Sequence, residues 1–430
     1  MAWIEEISKY EGKEVFVKGW LYNRRSSGKI HFLLIRDGTG IIQGVVADKD
    51  VPKEIFELCA RIPQESSIIV KGKVREDKRA PGGYELNLTD IKVVQLAKSY
   101  PISKKSHGID FLLSHRHLWL RSRQQYAVLQ IRGEIISAIQ DFFNSHGFLR
   151  LDAPILTPSS CEGTTTLFEV PYFGDKVYLS QSGQLYAEAG CMAFGKVYTF
   201  GPTFRAESSK TKRHLTEFWQ IEPEVAYATL DDIMKLAEEF ISYVVGRVLD
   251  KRVEELQHLE RDPKPLEKIK PPFPRITYKE ALDLLAKQHQ VPQTQYGDDF
   301  GAPQEKYISN QFELPVFVHR YPASCKAFYM KRDPNDDELS LCADLFAPEG
   351  YGEIIGGSQR EDDLSTLEQR LKEFKLPKEP FEWYLDLRRY GSVPHSGFGL
   401  GLERMVAWVC KLHHIREAIP FPRTIDRAYP

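Results

Sequence analysis

The chain has 430 residues, of which 42% are hydrophobic and 27% charged, with a formal net charge of −2. Its length suits two or three domains of a soluble globular protein. It shows neither an apolar run long enough to cross a membrane nor a signal-peptide pattern at the N-terminus, so we expect a cytoplasmic protein. The net charge is close to zero, so any RNA contact must use local basic patches.

The cysteines are scattered and show neither Cys-x2-Cys pairs nor histidines at ligand spacing. This spacing favours buried free thiols over zinc binding or disulfides. The six positions are Cys59, Cys161, Cys191, Cys325, Cys342 and Cys410.

Residues 1–100 contain short apolar-patterned runs separated by turns, with a helical stretch over 53–61. This order predicts a five-stranded barrel of the oligonucleotide-binding (OB) type, with an SH3-like barrel as the alternative. The predicted strands cover 14–20, 30–36, 41–46 and 67–74, and then 84–88 and 91–96.

A basic hinge is predicted over residues 101–123, between breakers such as Pro101 and Gly108. It is either a solvated linker or a surface facing RNA, and its cations are Lys104, Lys105, Arg116, Arg121 and Arg123.

Residues 124–430 are predicted to form one mixed, largely antiparallel α+β domain. It begins with an amphipathic helix that ends near Gly147, because apolar residues recur from Val128 to Phe142 at steps of three and four. Residues 251–275 are charged and proline-rich and are predicted to be a loop-rich connection within this domain.

Three segments of this domain carry the candidate chemistry. Motif 1, about 128–158, is the helix followed by a Gly-aromatic strand and a proline. Motif 2, about 197–224, has two apolar runs around a polar loop and predicts a hairpin, with Arg205 near the end of its first strand. Motif 3, about 397–409, is a glycine-rich strand that leads into a helix carrying Arg404.

An arginine offers a planar fork of donors that suits phosphate oxygens. Arg205 is therefore the candidate for the α-phosphate of a nucleotide and Arg404 for a terminal phosphate. The structural alternative is a surface hairpin with Phe218 in the core and Arg205 in a salt bridge.

In this order the motifs resemble those of the class II aminoacyl-tRNA synthetases, in the aspartyl, asparaginyl and lysyl subgroup. The resemblance implies a catalytic domain built on an antiparallel sheet flanked by helices, and a homodimer whose interface motif 1 forms. It implies an ATP site with the residues Arg205, Glu207, Arg213, His214, Phe218, Glu353 and Arg404, of which Arg205, Glu353 and Arg404 form the catalytic set.

Carboxylate oxygens bridged to phosphates are the usual protein ligands of Mg²⁺. Glu353, helped by Asp344, fits that role and matches the metal-binding pair of the family. Related aspartyl enzymes often carry a serine where this chain has Gly356, so a serine-mediated metal contact is not expected.

The stretch 181–189 resembles the amino-acid pocket strand of the subgroup, but Ala187 replaces a lysine that aspartyl enzymes use to pair with the substrate carboxylate. A neutral amide needs one donor and one acceptor. Arg360 can donate and Glu222 can accept, with Glu224 as a substitute, which favours asparagine over aspartate. The resemblance adds to this pocket Glu162, Ser182 and Gln184.

The predicted barrel resembles the anticodon-binding domain of the same subgroup. Phe32 would stack on an anticodon base, with polar contacts from Arg24 and Gln43, although Phe32 could equally belong to the core.

The resemblance is nearest to the asparaginyl enzymes. It implies that asparagine and ATP form asparaginyl-adenylate with Mg²⁺, and that the acyl group passes to the 3′-hydroxyl of tRNA(Asn). An aspartyl enzyme with relaxed tRNA choice and a non-catalytic, synthetase-derived RNA-binding protein are the alternatives.

Overall fold

The computed structural model describes residues 1–103, 105–161, 166–288 and 291–430. It divides into two compact units, Met1–Gly108 and Ile109–Pro430. In the described residues, every helix is too short or too polar to span a bilayer.

The first unit is a closed five-stranded barrel, as predicted. After a 3-10 helix, Ile4–Tyr10, its elements are β1 (Glu14–Ser27), β2 (Ile30–Arg36), β3 (Ile41–Ala47), α1 (Lys53–Arg61), β4 (Ser67–Glu76) and β5 (Tyr84–Gln95). They close in the order β1-β2-β3-β5-β4. The two runs predicted after residue 84 are one strand, β5, which pairs with β4 across irregularities in register.

Side-chain alternation along the strands separates the barrel core from its outer surface. In β2, His31, Leu33 and Ile35 are buried, while the residues between them are only partly covered.

The second unit contains the remaining helices and strands. Its first half comprises α2 (Ile109–Ser114), α3 (Arg116–Trp119), α4 (Arg123–Ser145), β6 (Leu149–Arg150), β7 (Leu156–Thr157), β8 (Glu169–Tyr172), β9 (Asp175–Leu179), α5 (Gln184–Phe194), β10 (Lys196–Phe204), β11 (Glu217–Ala226), α6 (Leu230–Lys251), α7 (Val253–His258) and α8 (Lys264–Glu267). Its second half comprises β12 (Arg275–Thr277), α9 (Tyr278–Ala286), α10 (Ala302–Ser309), β13 (Val316–His319), β14 (Arg332–Asp333), β15 (Asp336–Ser340), β16 (Cys342–Ala347), β17 (Gly352–Gln359), α11 (Leu364–Glu373), α12 (Glu382–Arg389), β18 (His395–Gly401) and α13 (Leu402–Val409).

An eight-stranded sheet forms the centre of this unit, in the order β12-β13-β16-β17-β18-β11-β10-β6. Its six central strands pair antiparallel, and the two edge strands pair parallel with their neighbours. Helices α4, α6 and α13 pack on this sheet and share one apolar core with it. The predicted mixed α+β class with an antiparallel sheet is confirmed.

The amphipathic pattern of α4 explains how this helix packs. Val128, Ile131 and Ile135 are all completely buried, and burying each such side chain contributes about 1.5–3 kcal/mol. The helix begins where the Ser122 side chain accepts a hydrogen bond from the backbone N–H of Gln125.

Part of the predicted hinge is helical rather than an open linker. Arg116 in α3 is 1% exposed and donates to the backbone carbonyls of Ile419 and Pro420, each at 2.8 Å. A buried guanidinium with these partners cannot face RNA. Lys104 lies outside the described residues, and the proline-rich connection at 251–275 includes helices α7 and α8.

All six cysteines are free thiols, and five of them are buried. This agrees with the expectation from their spacing.

Candidate active site

A cavity of about 680 Å³ lies over the centre of the large sheet. Alternate residues of β11, namely Phe218, Gln220 and Glu222, line it, and so do Asp344 and Phe346 of β16. Since alternate strand residues share a face, the cavity occupies one face of the sheet. The intervening residue Ile221 belongs to the apolar core shared with the helices.

Motifs 2 and 3 meet at one end of this cavity. Arg404, in the first turn of α13, donates from Nη1 to the Glu353 backbone oxygen at 3.0 Å and to its Oε2 at 2.8 Å. Arg213, from the loop of the motif 2 hairpin, donates to the same backbone oxygen at 3.1 Å and pairs with Glu305 at 2.8 Å. Two guanidinium groups distant in sequence thus converge on one point.

Burial opposes charge on both Glu353 and Arg404, but their pairing outweighs it. The pKa of Glu353 is lowered below its ordinary value and the pKa of Arg404 is raised. Both groups therefore stay charged at neutral pH, where the arginine can act on phosphate oxygens.

Arg205 follows the last residue of β10 and also lines the cavity, together with Glu207. Its guanidinium carbon lies 5.8 Å from the centroid of the Phe218 ring. Phe218 is only partly buried and packs against a small apolar cluster that includes Leu215 and Ile415. One face of the cavity therefore has a ring and a guanidinium side by side, and Phe218 is not a residue of the main core.

His214 lines the same region. Burial and the charges of Arg404, Arg213 and Arg205 lower its pKa, so its imidazole is neutral at physiological pH. A neutral ring can both donate and accept a hydrogen bond there.

Glu222 is held firmly in the cavity wall. The Gly183 backbone N–H donates to its Oε2 at 2.7 Å and the Thr199 hydroxyl at 3.1 Å, while the Ser182 hydroxyl donates to Oε1. Glu222 is 4% exposed, and these donors fix the direction of its carboxylate.

Glu224 has a different role from Glu222. It is completely buried and accepts hydrogen bonds from Nε and Nη2 of Arg360, whose Nη1 donates to Ser358 at 2.7 Å. The strand pairing places Glu224 opposite Gly397, where a Cβ would lie only 2.1 Å from a Glu224 oxygen, so glycine is required there. Arg360 lines the cavity, and Glu224 lies behind it as its counter-ion.

Gln184 lines the cavity at the start of helix α5, where a strand was expected. Its amide nitrogen donates to Glu188 at 3.1 Å. Glu188 is completely buried and also accepts from Arg388 at 2.7 Å and His395 at 3.0 Å. Glu162, also expected at the substrate, lies outside the described residues.

The two candidate metal ligands face one point. A Cβ on Gly356 would lie 3.2 Å from Glu353 Oε1 and 3.4 Å from Asp344 Oδ1. Two carboxylate oxygens facing one point suit Mg²⁺, whose remaining positions are commonly filled by phosphate and water. In the part of the chain that the structure describes, no third His, Cys, Asp or Glu joins them in a closed metal site.

In the barrel unit, Phe32 lies on the outer surface, opposite Arg25 of β1 and Val45 of β3. The Arg25 guanidinium lies 4.3 Å from the centroid of the Phe32 ring. Phe32 is absent from the barrel core, so the core alternative is wrong.

Gln43 shares the outer face with Phe32, since both are outward residues of adjacent strands, and it donates to Glu85 at 3.1 Å. Arg24 does not join them. It pairs with the inward-facing Leu33 and directs its side chain to the Cys59 carbonyl, because alternation reverses the face at each residue. Arg25 takes the position beside the ring.

Comparison with known proteins decides the family. The family model described as tRNA synthetases class II (D, K and N) matches residues 108–425, and an OB-fold nucleic acid binding domain matches 15–94. The chain is 60% identical to the asparagine–tRNA ligase of Desulforamulus reducens over 99% of both chains, and 60% identical to that of Thermus thermophilus over the full length of both. The chain belongs to the asparaginyl-tRNA synthetases.

A solved structure supports this assignment. The asparaginyl-tRNA synthetase of Pyrococcus horikoshii complexed with asparaginyl-adenylate superposes with a TM-score of 0.96 at 47% identity, covering 100% of this chain and 99% of that one. The OB-fold model over residues 15–94 and the closed five-stranded barrel confirm the OB type over the SH3-like alternative.

Several cavity residues of this synthetase carried no sequence signal. Lys326, Asp299 and Glu305 line the cavity from segments between motifs 2 and 3, outside any recognised pattern. Their charges are ordinary for solvated loops, and only the fold brings them to the site.

Proposed function

We infer that this synthetase joins L-asparagine to tRNA(Asn) at the expense of ATP, through asparaginyl-adenylate, with release of pyrophosphate and AMP. The observation that carries this inference is the convergence of Arg205, Arg213 and Arg404 on one cavity whose other end holds the Glu222 carboxylate and the Arg360 guanidinium. A site with cations at one end and a donor–acceptor pair at the other suits a nucleotide and a small amide together.

The first step is attack of the asparagine carboxylate on the α-phosphorus of ATP, with cleavage of the bond to pyrophosphate. Arg205 stabilises the negative charge that develops on the α-phosphate, while Arg213, His214 and Arg404 hold the outer phosphates. Phe218 stacks beneath the adenine, and Glu207 contacts the nucleotide. No protein nucleophile takes part, since positioning and charge stabilisation suffice.

The second step transfers the asparaginyl group to the terminal ribose. The 3′-hydroxyl of the tRNA attacks the carbonyl carbon of the adenylate, and AMP leaves.

Asparagine is selected by the pair Glu222 and Arg360. Arg360 donates to the side-chain carbonyl oxygen, and Glu222 accepts from the NH₂ group. Glu222 rather than Glu224 takes this role, because Glu224 neutralises Arg360 from behind. An aspartate would bring a second carboxylate against Glu222, and Ala187 offers no cation to compensate it.

Gln184 and Ser182 complete the amino-acid end of the cavity. Gln184, together with Glu162, holds the α-ammonium group of asparagine. Asp344 and Glu353 would hold Mg²⁺. When bound, the ion neutralises charge on the triphosphate.

Recognition of tRNA uses the outer face of the barrel. Phe32 stacks on a base of the anticodon, with Gln43 and Arg25 beside it.

The active form is a cytoplasmic homodimer whose interface is motif 1. The exposure of Leu149, Ile155 and Leu156, between 39% and 45%, supports this, because apolar residues of this size are commonly covered by a partner.

ATP–pyrophosphate exchange measured with each amino acid tests the function. Exchange that depends on asparagine is expected, and exchange driven by aspartate alone would identify the aspartyl alternative. A complete absence of exchange would favour the non-catalytic alternative, against which the presence of Arg205, Glu353 and Arg404 argues.

A further inference from the structure

Lys326 is a charged cavity residue to which no step above gives a role. It follows the 3-10 helix Ala323–Cys325 and is 9% exposed. Its Nζ lies 2.8 Å from Asp344 Oδ2 and 3.2 Å from Asp299 Oδ1, and 3.8 Å from the centroid of the Tyr321 ring. Three independent contacts thus hold this ammonium beside a candidate metal ligand.

Lys326 keeps its charge in this position. Burial alone would favour the neutral amine, but two carboxylates lie within 3.2 Å of Nζ and stabilise the ammonium form. The second candidate metal ligand, Glu353, is paired with Arg404 at 2.8 Å. Each of the two carboxylates is therefore already neutralised by a cation of the chain itself.

The ammonium contacts Asp344 Oδ2, and a divalent ion on Oδ1 of the same carboxylate would lie close enough to repel it. The position of Asp299 is informative here, because its carboxylate also contacts the ammonium and its side chain is 52% exposed. Lys326 can leave Asp344 without losing every counter-charge.

We propose that Lys326 is the resident counter-ion of the metal site, and that a divalent metal binds by displacing its ammonium from Asp344 towards Asp299. This rests on the metal assignment in the proposed function. Without metal, Lys326 prevents Asp344 and Glu353 from repelling each other across Gly356. With metal, the ammonium stays in the cavity beside the phosphates of the nucleotide.

Mn²⁺ binding to the full-length protein, measured by electron paramagnetic resonance, tests the proposal without reference to activity. Lys326→Met should bind Mn²⁺ at least tenfold more tightly than the wild type, because no ammonium competes for Asp344. Lys326→Arg keeps the charge and should bind within about threefold of the wild type. Lys331→Met is the matched control, since Lys331 pairs with Glu361 and Asp362 away from the cavity lining, and it should leave the affinity unchanged.

Thermal unfolding adds a second measurement. In EDTA, Lys326→Met should melt below the wild type, because the buried Asp344 loses its partner, and saturating Mn²⁺ should close that gap. Lys331→Met should show the same difference from the wild type with and without metal. If Lys326→Met fails to fold, Lys326→Gln replaces it with the same expectations.

Unchanged or weaker Mn²⁺ binding by the neutral variant, with a wild type that binds, would overturn the displacement of Lys326 and leave the proposed function intact. A wild type that shows asparagine-dependent exchange but binds no Mn²⁺ would overturn the metal assignment at Asp344 and Glu353, and this inference with it.

Discussion

Replacing Glu224 with glutamine tests the central buried ion pair of the synthetase. Glu224 is completely buried and Arg360 is 2% exposed. Burial works against charge on Arg360, and Glu224 offsets this in the wild type by raising the pKa of Arg360. A guanidinium keeps its proton in proteins, so Arg360 stays charged in the variant without its partner. Removing one partner of such a pair typically costs about 3–5 kcal/mol, since the other charge is left buried without compensation.

The expected loss in the free energy of unfolding can be expressed as a change in melting temperature. For a unit the size of Ile109–Pro430 the unfolding entropy is about 0.7 kcal/mol per degree, so this loss lowers the melting temperature by about 4–7 °C. Arg360 also loses the partner that orients it, so its proposed hydrogen bond to asparagine should weaken. A hydrogen bond to a charged group contributes about 1.5–3 kcal/mol, which corresponds to a KM for asparagine roughly 10- to 150-fold higher. Calorimetry and pyrophosphate exchange measure the two effects.

Glu238→Gln is the matched control. Glu238 pairs with Arg275 at 3.0 Å, but that arginine is 30% exposed, so water compensates it and the cost should be about 1 kcal/mol or less. If both variants melt within 1 °C of each other, the buried pair does not stabilise the fold as argued. A stable Glu224→Gln enzyme with an unchanged KM would also remove Arg360 from asparagine binding.

Three further predictions concern other parts of the chain. Arg205→Ala should lower the rate of pyrophosphate exchange about 10²- to 10³-fold with little change in melting temperature. Phe32→Ala should raise the KM for tRNA roughly 5- to 150-fold and leave exchange intact, whereas Phe16→Ala, which removes another exposed aromatic of the barrel, should change neither. Burial and nearby cations lower the pKa of His414 from 6.5 to about 4, so the unfolded chain binds this proton at a higher pH than the folded chain does. The free energy of unfolding should therefore fall as the pH drops from 6.5 to 4. His414→Asn, which keeps an acceptor for the Arg416 N–H, should reduce that dependence in melting curves recorded across the range.

Each of these three has an outcome that contradicts it. Normal exchange by Arg205→Ala would show that Arg205 does not act on the α-phosphate. Equal effects of Phe32→Ala and Phe16→Ala on the KM for tRNA would exclude base stacking by Phe32. Parallel pH profiles of the melting temperature for His414→Asn and the wild type would exclude His414 as the titrating group.

Local pattern predicted much of this molecule. Alternation along the barrel strands and the three- and four-residue steps of α4 follow directly from which side chains must leave water. The motif arginines could also be recognised, because glycines and apolar runs around Arg205 and Arg404 define a hairpin and a strand–helix junction.

Pairing between distant segments could not be predicted in the same way. Whether Glu222 or Glu224 lines the cavity depends on the register of β11 against β18 and on Arg360, which follows β17. Arg24 and Arg25 differ by one position, and only the strand register decides which of them reaches Phe32. Lys326 approaches Asp344 through tertiary packing that no sequence spacing records.

The position of β18 in the sheet has a consequence for synthesis of the chain on the ribosome. This strand starts only at His395, yet it lies between β11 and β17, whose residues are made much earlier. A nascent chain that stops before residue 395 has two exposed strand edges where the finished protein has continuous hydrogen bonding, and such edges invite pairing with other chains. The hydrogen bonding of β11 and β17 on this side can therefore be completed only after residue 401 has been made.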